Sequence, residues 1–180
     1  MKKILKLFVI LIAISAVIVG ILRVACIFYP TEHKLTVEKY AQMYGIEEEL
    51  VYAVIKAESN FDESAVSQKG AVGLMQIMES TGEWAAEKIG LNNYTKESLY
   101  NPEINIEIGC FYLSYLLDLY GNDVRCAVAA YNAGQANVDK WLGDEMYSKD
   151  GKSLDKIPFG ETAKYVKKVM GNVKIYDFLY

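Results

Sequence analysis

The sequence of 180 residues predicts an all-α domain preceded by one N-terminal transmembrane helix. Residues 7–22 contain no charged side chain and only Ser15 as a polar one, which is typical of a membrane-crossing segment. Later in the chain, apolar residues recur at helical spacing between short breaks that contain Gly or Asn. No alternating run is long enough to predict a strand, and at most a small β-like excursion is expected between Ser64 and Gly73.

The first 29 residues have the pattern of an uncleaved signal anchor. A basic start precedes the apolar run, and Arg23 separates it from a second apolar stretch that ends at Tyr29. A cleavable signal peptide needs a small-x-small site, and the residues after the apolar run do not supply one. We therefore expect residues 1–29 to form a single-pass anchor in the cell membrane, with its basic end in the cytoplasm and residues 30–180 on the extracytoplasmic side.

The net charge of residues 30–180 excludes one class of function. Four of the chain's 19 basic residues precede Pro30, so residues 30–180 carry 15 basic against 23 acidic residues, a net charge of −8. A surface of this charge repels nucleic acid, and no nucleic-acid partner is expected. The length suits one globular domain, which we expect to be monomeric.

Helix start and stop residues divide this domain into successive helical segments. Thr36 is a favourable N-cap, Gly45 is a favourable stop, and Asn101-Pro102 opens the longest helix with Pro at its first position. The predicted segments are 36–44, 47–58, 80–90, 102–121, 123–133, 135–142 and a last helix that begins near Thr162.

Few residues could support metal or nucleophilic chemistry. His33 is the single histidine and lies beside the anchor, so neither a metal-ligand cluster nor a Ser-His or Cys-His pair is expected. Cys110 is predicted to pack in the core, and a disulfide between Cys110 and Cys126 is possible but not favoured. We therefore expect no metal and no cofactor, and catalysis would depend on carboxylates, hydroxyls and amides.

Glu58 is the carboxylate that the sequence singles out. It ends a helical segment on the same face as Val51, Val54 and Ile55, while the solvated face is predicted to carry Glu48, Glu49, Tyr52 and Lys56. Burial disfavours the charged form of a carboxyl group, so such a residue is suited to be a general acid. A boundary glutamate whose stem packs while its carboxylate reaches water is the structural alternative.

Three motifs lie where the helical periodicity is interrupted. They are Glu58-Ser59-Asn60-Phe61 leading into Ala65-Val66-Ser67, the run from Gly70 to Met78, and the run from Ala129 to Gly134. Each has a structural explanation when it is taken singly: the glycines fit turns or a helix cap, and the methionines fit core packing.

Together, in this order and spacing, the motifs resemble the lytic transglycosylases of the soluble-lytic (SLT) type. The resemblance continues through residues 101–113 and 157–166, and it covers about residues 35–180. It implies a lysozyme-like, goose-type fold for residues 30–180 and peptidoglycan glycan strands as the partner. The implied activity is cleavage of the β-1,4 bond between N-acetylmuramic acid and N-acetylglucosamine, with formation of 1,6-anhydro-muramoyl ends, in cell-wall remodelling.

The resemblance also implies roles for individual residues. Glu58 matches the family's single catalytic acid, which protonates the glycosidic oxygen and then acts as base on the muramoyl 6-hydroxyl. A tethered nucleophile of this kind needs no second carboxylate, and neither Asp62 nor Glu63 stands out as one. The expected substrate-binding residues are Ser67, Met75, Gln76, Tyr131, Asn132 and Tyr165.

Two positions depart from the family pattern, and two rival functions stay open. Glu79 and Gly160 stand where the family often has proline, which puts local loop geometry in question. The first rival is a lysozyme-like hydrolase on the same fold, with water as the nucleophile. The second is a non-catalytic peptidoglycan-binding assembly protein.

Overall fold

The computed structural model describes residues 2–180, apart from the side chains of residues 2, 3, 5 and 9. Met1 and the side chains of Lys2 and Lys3, which belong to the predicted basic start of the anchor, lie outside the described residues. The described helices are α1 (Lys2–Phe28), α2 (Lys34–Tyr44), α3 (Glu48–Glu58), α4 (Glu79–Ile89), α5 (Pro102–Leu119), α6 (Val124–Ala133), α7 (Gln135–Leu142), α8 (Gly160–Leu179) and a 3-10 helix (Lys96–Tyr100).

Helix α1 is long and apolar enough to cross a membrane by length and composition. Its Lys6–Phe28 stretch has 23 residues and a mean hydropathy of 2.9, and its described apolar side chains are largely exposed. The chain after α1 is fastened to the end of α8. The Tyr176 hydroxyl donates to the Pro30 carbonyl (3.0 Å), and the Tyr180 hydroxyl donates to the Tyr29 carbonyl (2.7 Å).

Helix α3 runs through the centre of the domain, packed along α8 and against α2. Its predicted apolar residues Val51, Val54 and Ile55 are fully buried. Helix α5 packs against α2, α4 and α6 and completes the core on the other side. Because α3 is enclosed, the carboxyl group at its last residue is held by a rigid element.

The prediction that Tyr52 lies on the solvated face of α3 is wrong. Its side chain is 4% exposed and stacks on Tyr176 of α8, with ring centroids 5.4 Å apart. A helix covered on two sides has a wider buried face than the single stripe that periodicity predicts. Helix α8, which covers this second side, lies more than a hundred residues later in the chain.

The helix order is as predicted, with differences at some boundaries. Thr36 is not an N-cap, because α2 begins at Lys34 and His33 precedes it in the left-handed conformation (φ 57°). Helix α8 begins at Gly160 rather than near Thr162, and the 3-10 helix was not predicted. Asn101 caps α5 as expected, since its side-chain oxygen accepts from the Glu103 backbone N–H (2.9 Å).

Two further expectations concern the loop and the cysteines. The described residues contain no strand, and the β-like excursion is reduced to isolated bridges between Val66 and Val72 and between Val72 and Ile77. Cys110 packs fully buried in the core, and no disulfide links the cysteines of the described chain.

Candidate active site

Glu58 lies at the C-terminal end of α3 on the wall of a cleft of about 480 Å³. The Tyr165 hydroxyl, from α8, donates a hydrogen bond to Glu58 Oε1 (2.6 Å). Burial raises the pKa of Glu58 to about 7, although the Tyr165 hydroxyl and the nearby Lys168 ammonium act to lower it. A large fraction of Glu58 is therefore protonated at neutral pH, which is the form that can donate a proton.

The chain reverses direction directly after Glu58. Asn60 and Phe61 both have left-handed backbone conformations (φ 54° and 68°), which are costly for residues other than glycine. The Ser59 hydroxyl stabilises this turn, because it donates to the Leu74 carbonyl (2.8 Å) and accepts from the Phe61 backbone N–H (3.1 Å). Ser59 thus connects the end of α3, which bears Glu58, to the loop that contains Gln76.

The segment from Ala65 to Ile77 forms the next part of the cleft. Two hydrogen bonds between Ser67 and Ala71 hold the turn of this segment. The Ser67 backbone N–H donates to the Ala71 carbonyl (2.9 Å), and the Ser67 hydroxyl accepts from the Ala71 backbone N–H (3.0 Å). Gln76 has a left-handed backbone (φ 49°), and its amide nitrogen donates to the carbonyls of Ala65 and Gly73. Both side chains line the cleft while they hold its backbone.

Asn105 of α5 anchors this segment from below, a role that the sequence analysis missed. The side chain is fully buried, its oxygen accepts from the Met75 backbone N–H (2.8 Å), and its amide donates to the carbonyls of Val72 and Leu99 (2.9 Å each). Gly73 is required beside it, because a Cβ there would lie 2.3 Å from the Asn105 amide nitrogen. Gly73 also has φ +79°, which favours glycine.

The side chain of Met75, a predicted substrate-binding residue, lies beneath the cleft rather than on its wall. Its side chain is fully buried, and it packs so closely on Gly109 that a Cβ at Gly109 would lie 2.2 Å from the Met75 sulfur. The backbone of Met75 nevertheless shapes the site, since its carbonyl accepts a hydrogen bond from the Tyr131 hydroxyl (2.9 Å). Met75 is therefore a packing residue beneath the cleft.

Helix α6 contributes Tyr131 and Asn132 to the lining of the cleft. Burial and the proximity of Glu58 hold the pKa of Tyr131 well above its usual range, so its hydroxyl keeps its proton. The Asn132 side-chain oxygen accepts a hydrogen bond from the Thr162 hydroxyl (2.8 Å). The oxygen is therefore occupied, and the NH2 group of the Asn132 amide is free to donate to another group. Thr162 belongs to the first turn of α8, the helix that also carries Tyr165.

The structure brings most of the predicted site residues together. Five of them line one cleft: Glu58, Ser67, Gln76, Tyr131 and Asn132. Tyr165 lies behind Glu58 and contacts it directly, while Met75 lies below. The cleft also contains Glu161, an exposed second carboxylate that the sequence analysis did not consider as a site residue.

Comparison with known proteins places this geometry in a family. The transglycosylase SLT domain matches residues 36–154. The chain therefore belongs to the transglycosylase SLT family. A soluble lytic murein transglycosylase of Escherichia coli (strain K12) is 34% identical over 154 residues, which cover 84% of this chain and 23% of that protein. A membrane-bound lytic murein transglycosylase C of Yersinia pestis (strain Pestoides F) is 32% identical over 161 residues, with coverages of 78% and 45%.

A solved SLT structure shares the fold. It is the X-ray structure of an inactive mutant of the lytic transglycosylase Slt from Pseudomonas aeruginosa, in which a glutamate is replaced by glutamine. It matches 84% of this chain and 25% of its own at 32% identity, with a TM-score of 0.75. The present chain thus spans about a quarter of the length of the Escherichia coli and Pseudomonas aeruginosa relatives, and it shares the fold of the matched part of the solved structure.

The two departures from the SLT pattern occupy equivalent places. Glu79 is the first residue of α4, and Gly160 is the first residue of α8. Proline is favoured at that position because the N–H it lacks has no partner within a helix. Glu79 meets the positive end of the helix dipole instead and lies 3.1 Å from Lys96 Nζ. Both helices therefore begin at these residues without proline.

An aromatic row leads away from the cleft. Tyr131 lies next to Tyr112 (ring centroids 5.3 Å apart), and Trp84 lies against Tyr112 (6.1 Å) and Tyr115 (4.9 Å). Trp84, Tyr112 and Tyr115 line a hollow of about 290 Å³. Such rings offer flat apolar faces beside polar edges, a surface suited to sugar rings.

Proposed function

We propose that this chain is a membrane-attached lytic transglycosylase that cleaves peptidoglycan glycan strands. The observation that carries the proposal is the environment of Glu58: a carboxyl group with a raised pKa, held by Tyr165 at the edge of a cleft. The family membership supports the reaction class. The inactive relative, in which glutamine replaces a glutamate, supports the choice of a glutamate as the essential acid.

The proposed reaction needs one carboxyl group in two roles. Glu58 donates its proton to the glycosidic oxygen as the bond from that oxygen to the anomeric carbon of N-acetylmuramic acid breaks. The resulting carboxylate removes the proton of the muramoyl 6-hydroxyl, and this oxygen forms a bond to the same anomeric carbon. The products are a free 4-hydroxyl on N-acetylglucosamine and a 1,6-anhydro-muramoyl end. No water is consumed, and Glu58 ends protonated.

The remaining cleft residues suit the binding of an N-acetylated sugar. Asn132 and Tyr131 line the cleft, where the Asn132 amide can donate to the N-acetyl oxygen and stabilise the oxocarbenium-like charge. Ser67 and Gln76 shape the backbone of the cleft. Trp84 and Tyr112 extend the surface for further sugars of the strand.

Membrane attachment is the second part of the proposal. Residues 1–29 serve as an uncleaved single-pass anchor, and residues 30–180 form the catalytic domain on the extracytoplasmic side. The length and hydropathy of α1 support this, as does the membrane-bound relative from Yersinia pestis. Vesicle flotation of the full chain, together with protease protection in cells, measures attachment and orientation separately.

A lysozyme-like hydrolase is the second candidate, and Glu161 is the observation that favours it. Glycosidases that use water or a covalent intermediate need two carboxylates across the bond, and Glu161 lines the same cleft as Glu58. Mass analysis of purified cell wall digested with the full chain decides between the two. Anhydro-muramoyl ends support the transglycosylase, whereas reducing muramoyl ends would show hydrolysis and overturn the proposal.

A further inference from the structure

A second cavity lies at the other end of α3 from Glu58. It has a volume of about 580 Å³ and opens between the start of α3, helix α2 and the end of α8. Glu48, at the first turn of α3, lines it. Since ten residues of helix separate Glu48 from Glu58, the cavity is about 15 Å from the cleft and is not part of it.

The cavity has an excess of negative charge. Four carboxylates line it, from Glu38, Glu47, Glu48 and Glu49, against one ammonium group from Lys34, which lies 3.4 Å from Glu38. Burial and repulsion by Glu38 and Glu49 raise the pKa of Glu48, and Lys34 offsets this only in part. A bound cation would relieve the repulsion.

The floor of the cavity is aromatic and contains an unsatisfied hydroxyl. Tyr52 stacks on Tyr176 (centroids 5.4 Å apart), which stacks on Tyr180 (6.1 Å). Tyr52 is 4% exposed, and its hydroxyl has no hydrogen-bond partner among the described residues. Buried hydroxyls are nearly always paired with protein, ordered water or a ligand, so the Tyr52 hydroxyl is available to a ligand group in this cavity. Of the three rings, that of Tyr180 is exposed (59%), and exposed aromatic faces attract organic cations in particular.

The cation that fits is organic rather than metallic. Within residues 2–180, no three Asp, Glu, His or Cys side chains converge closely enough to hold a metal ion. The volume of about 580 Å³ also suits a polyatomic group better than a bare ion. An ammonium group carries the required charge and N–H donors for both the carboxylates and the Tyr52 hydroxyl.

The position of the cavity indicates where such a group would come from. Tyr176 and Tyr180, which line it, also bind the carbonyls of Pro30 and Tyr29 directly after α1. When α1 is inserted in a bilayer, the residues that follow its apolar stretch lie among the lipid headgroups. Lys34 adds one cation on the rim of the cavity, where a phosphate can meet it.

We propose that this cavity binds an organic ammonium group, supplied by the headgroup of an amine-bearing zwitterionic phospholipid. The carboxylates of Glu38 and Glu48 and the exposed ring of Tyr180 surround the ammonium, and Lys34 contacts the phosphate. The lipid source depends on the membrane attachment proposed above, whereas the preference for ammonium depends on the cavity alone. A soluble amine is the other source of the same chemistry.

The test is a titration of the full chain in non-ionic detergent, followed by calorimetry. The probes are dihexanoyl phosphatidylethanolamine, dihexanoyl phosphatidylglycerol and ethylamine. We expect saturable one-to-one binding of the ethanolamine lipid, weaker binding of ethylamine and none of the glycerol lipid. Replacing both Glu38 and Glu48 by Gln should weaken ethanolamine-lipid binding by about tenfold or more, as loss of a desolvated ion pair does.

Matched variants separate the contacts. Glu87→Gln removes an exposed carboxylate on α4, and Glu58→Gln removes the proposed catalytic acid; neither should change lipid affinity. Tyr52→Phe keeps the aromatic ring and should weaken binding several-fold through loss of one hydrogen bond. Lys34→Gln should weaken the ethanolamine lipid but not ethylamine, because only the lipid has a phosphate.

Each outcome decides a part of the proposal. Absence of saturable ethanolamine-lipid and ethylamine binding, or equal affinity in the wild type and the Glu38 and Glu48 double variant, overturns the ammonium site. Equal affinity for ethylamine and the lipid supports the ammonium site and overturns the membrane source. Glycan cleavage is unaffected by any of these results, so failure of this site is distinguishable from failure of the proposed activity.

Discussion

The phenolic oxygen of Tyr165 lies 2.6 Å from Glu58 Oε1, although 107 residues separate the two in sequence. The contact exists because α8 packs along α3 and places one turn of its N-terminal half beside the last residue of α3. The hydroxyl fixes the carboxyl group in position and limits the rise of its pKa, which burial would otherwise raise further. The Tyr165 hydroxyl thus affects both the position of the Glu58 carboxyl group and its pKa.

Glu58→Gln should abolish glycan cleavage. Glutamine keeps the shape and one hydrogen bond to Tyr165 but cannot deliver a proton, so turnover should fall by roughly a thousandfold. Chromatography of released muropeptides measures the loss, and circular dichroism checks that the fold is retained. Glu63→Gln, in an exposed loop, is the control and should cleave normally. Substantial turnover in Glu58→Gln would falsify the assignment of the acid.

The pH profile of cleavage should depend on Tyr165. Because the protonated form of Glu58 starts the reaction and its pKa is about 7, kcat/KM should decline above about pH 7. Tyr165→Phe removes a hydrogen bond that lowers this pKa, so the decline should move to higher pH while the maximal rate falls. Initial rates between pH 5 and 9 measure both effects. A decline that moves to lower pH, or does not move, contradicts this role.

The raised pKa of Glu58 should also appear in stability. The folded protein binds the Glu58 proton more tightly than the unfolded chain does, so this contribution is present in full below pH 4.5 and is lost as pH rises through about 7. Glu58→Gln removes this loss. The free energy of unfolding of the variant should match that of the wild type near pH 4.5 and exceed it by about 2 kcal/mol at pH 8. This is less than the energy equivalent of the full pKa shift, because the Glu58 carboxyl group is only partly buried.

Denaturant unfolding of the wild type and Glu58→Gln at several pH values provides that measurement. All other titrating groups are common to both proteins and cancel in the difference. A difference that is independent of pH would show that Glu58 titrates alike in the folded and unfolded states.

Asn105→Ala should destabilise the backbone segment that underlies the cleft. The change leaves the Met75 N–H and the carbonyls of Val72 and Leu99 without their partner, which should lower the free energy of unfolding by about 2–4 kcal/mol. Cleavage should fall as well, because the Met75 backbone holds the Tyr131 hydroxyl. Asn92→Ala, at an exposed position, is the matched control and should change stability by less than about 0.5 kcal/mol.

Met75 and Asn132 should respond differently to substitution. Met75→Leu conserves volume in the core and should leave KM for glycan strands within about twofold of the wild-type value. Asn132→Ala removes a polar group from the cleft wall and should lower kcat/KM by tenfold or more. Kinetics on isolated glycan strands compare the two. A large rise in KM for Met75→Leu with unchanged stability would restore Met75 to the sugar-contacting residues.

Much of the fold could be predicted because its signals are local. Gly45 marks the end of α2 and Asn101 the start of α5, and the apolar stripe of α3 identified Glu58 as an unusual carboxylate. Tyr52 shows the limit of this reasoning, since the second covered side of α3 depends on α8, far away in sequence. The 3-10 helix at Lys96–Tyr100 has too few residues to show a periodicity.

Fewer features of the site than of the fold could be predicted from local patterns in the sequence. Tyr165 could be linked to Glu58 only through resemblance to a family, because no local pattern reports a contact across the domain. Asn105 carried a usable signal: like Glu58, it is a polar residue on a buried helical stripe, one turn before Gly109. Glu161 was overlooked because α8 was predicted to begin after it.

The two ends of α8 set the distance between the chain that follows α1 and Glu58. Tyr180 binds the chain directly after α1, while Tyr165, fifteen residues earlier, contacts Glu58. At 1.5 Å per residue, the helix places these contacts about 22 Å apart along its axis. With α1 inserted as proposed, the continuous helix α8 rather than a flexible linker connects the bilayer to Glu58, the proposed catalytic acid. On the proposed function, such an enzyme would act on glycan strands close to the membrane rather than in the outer wall.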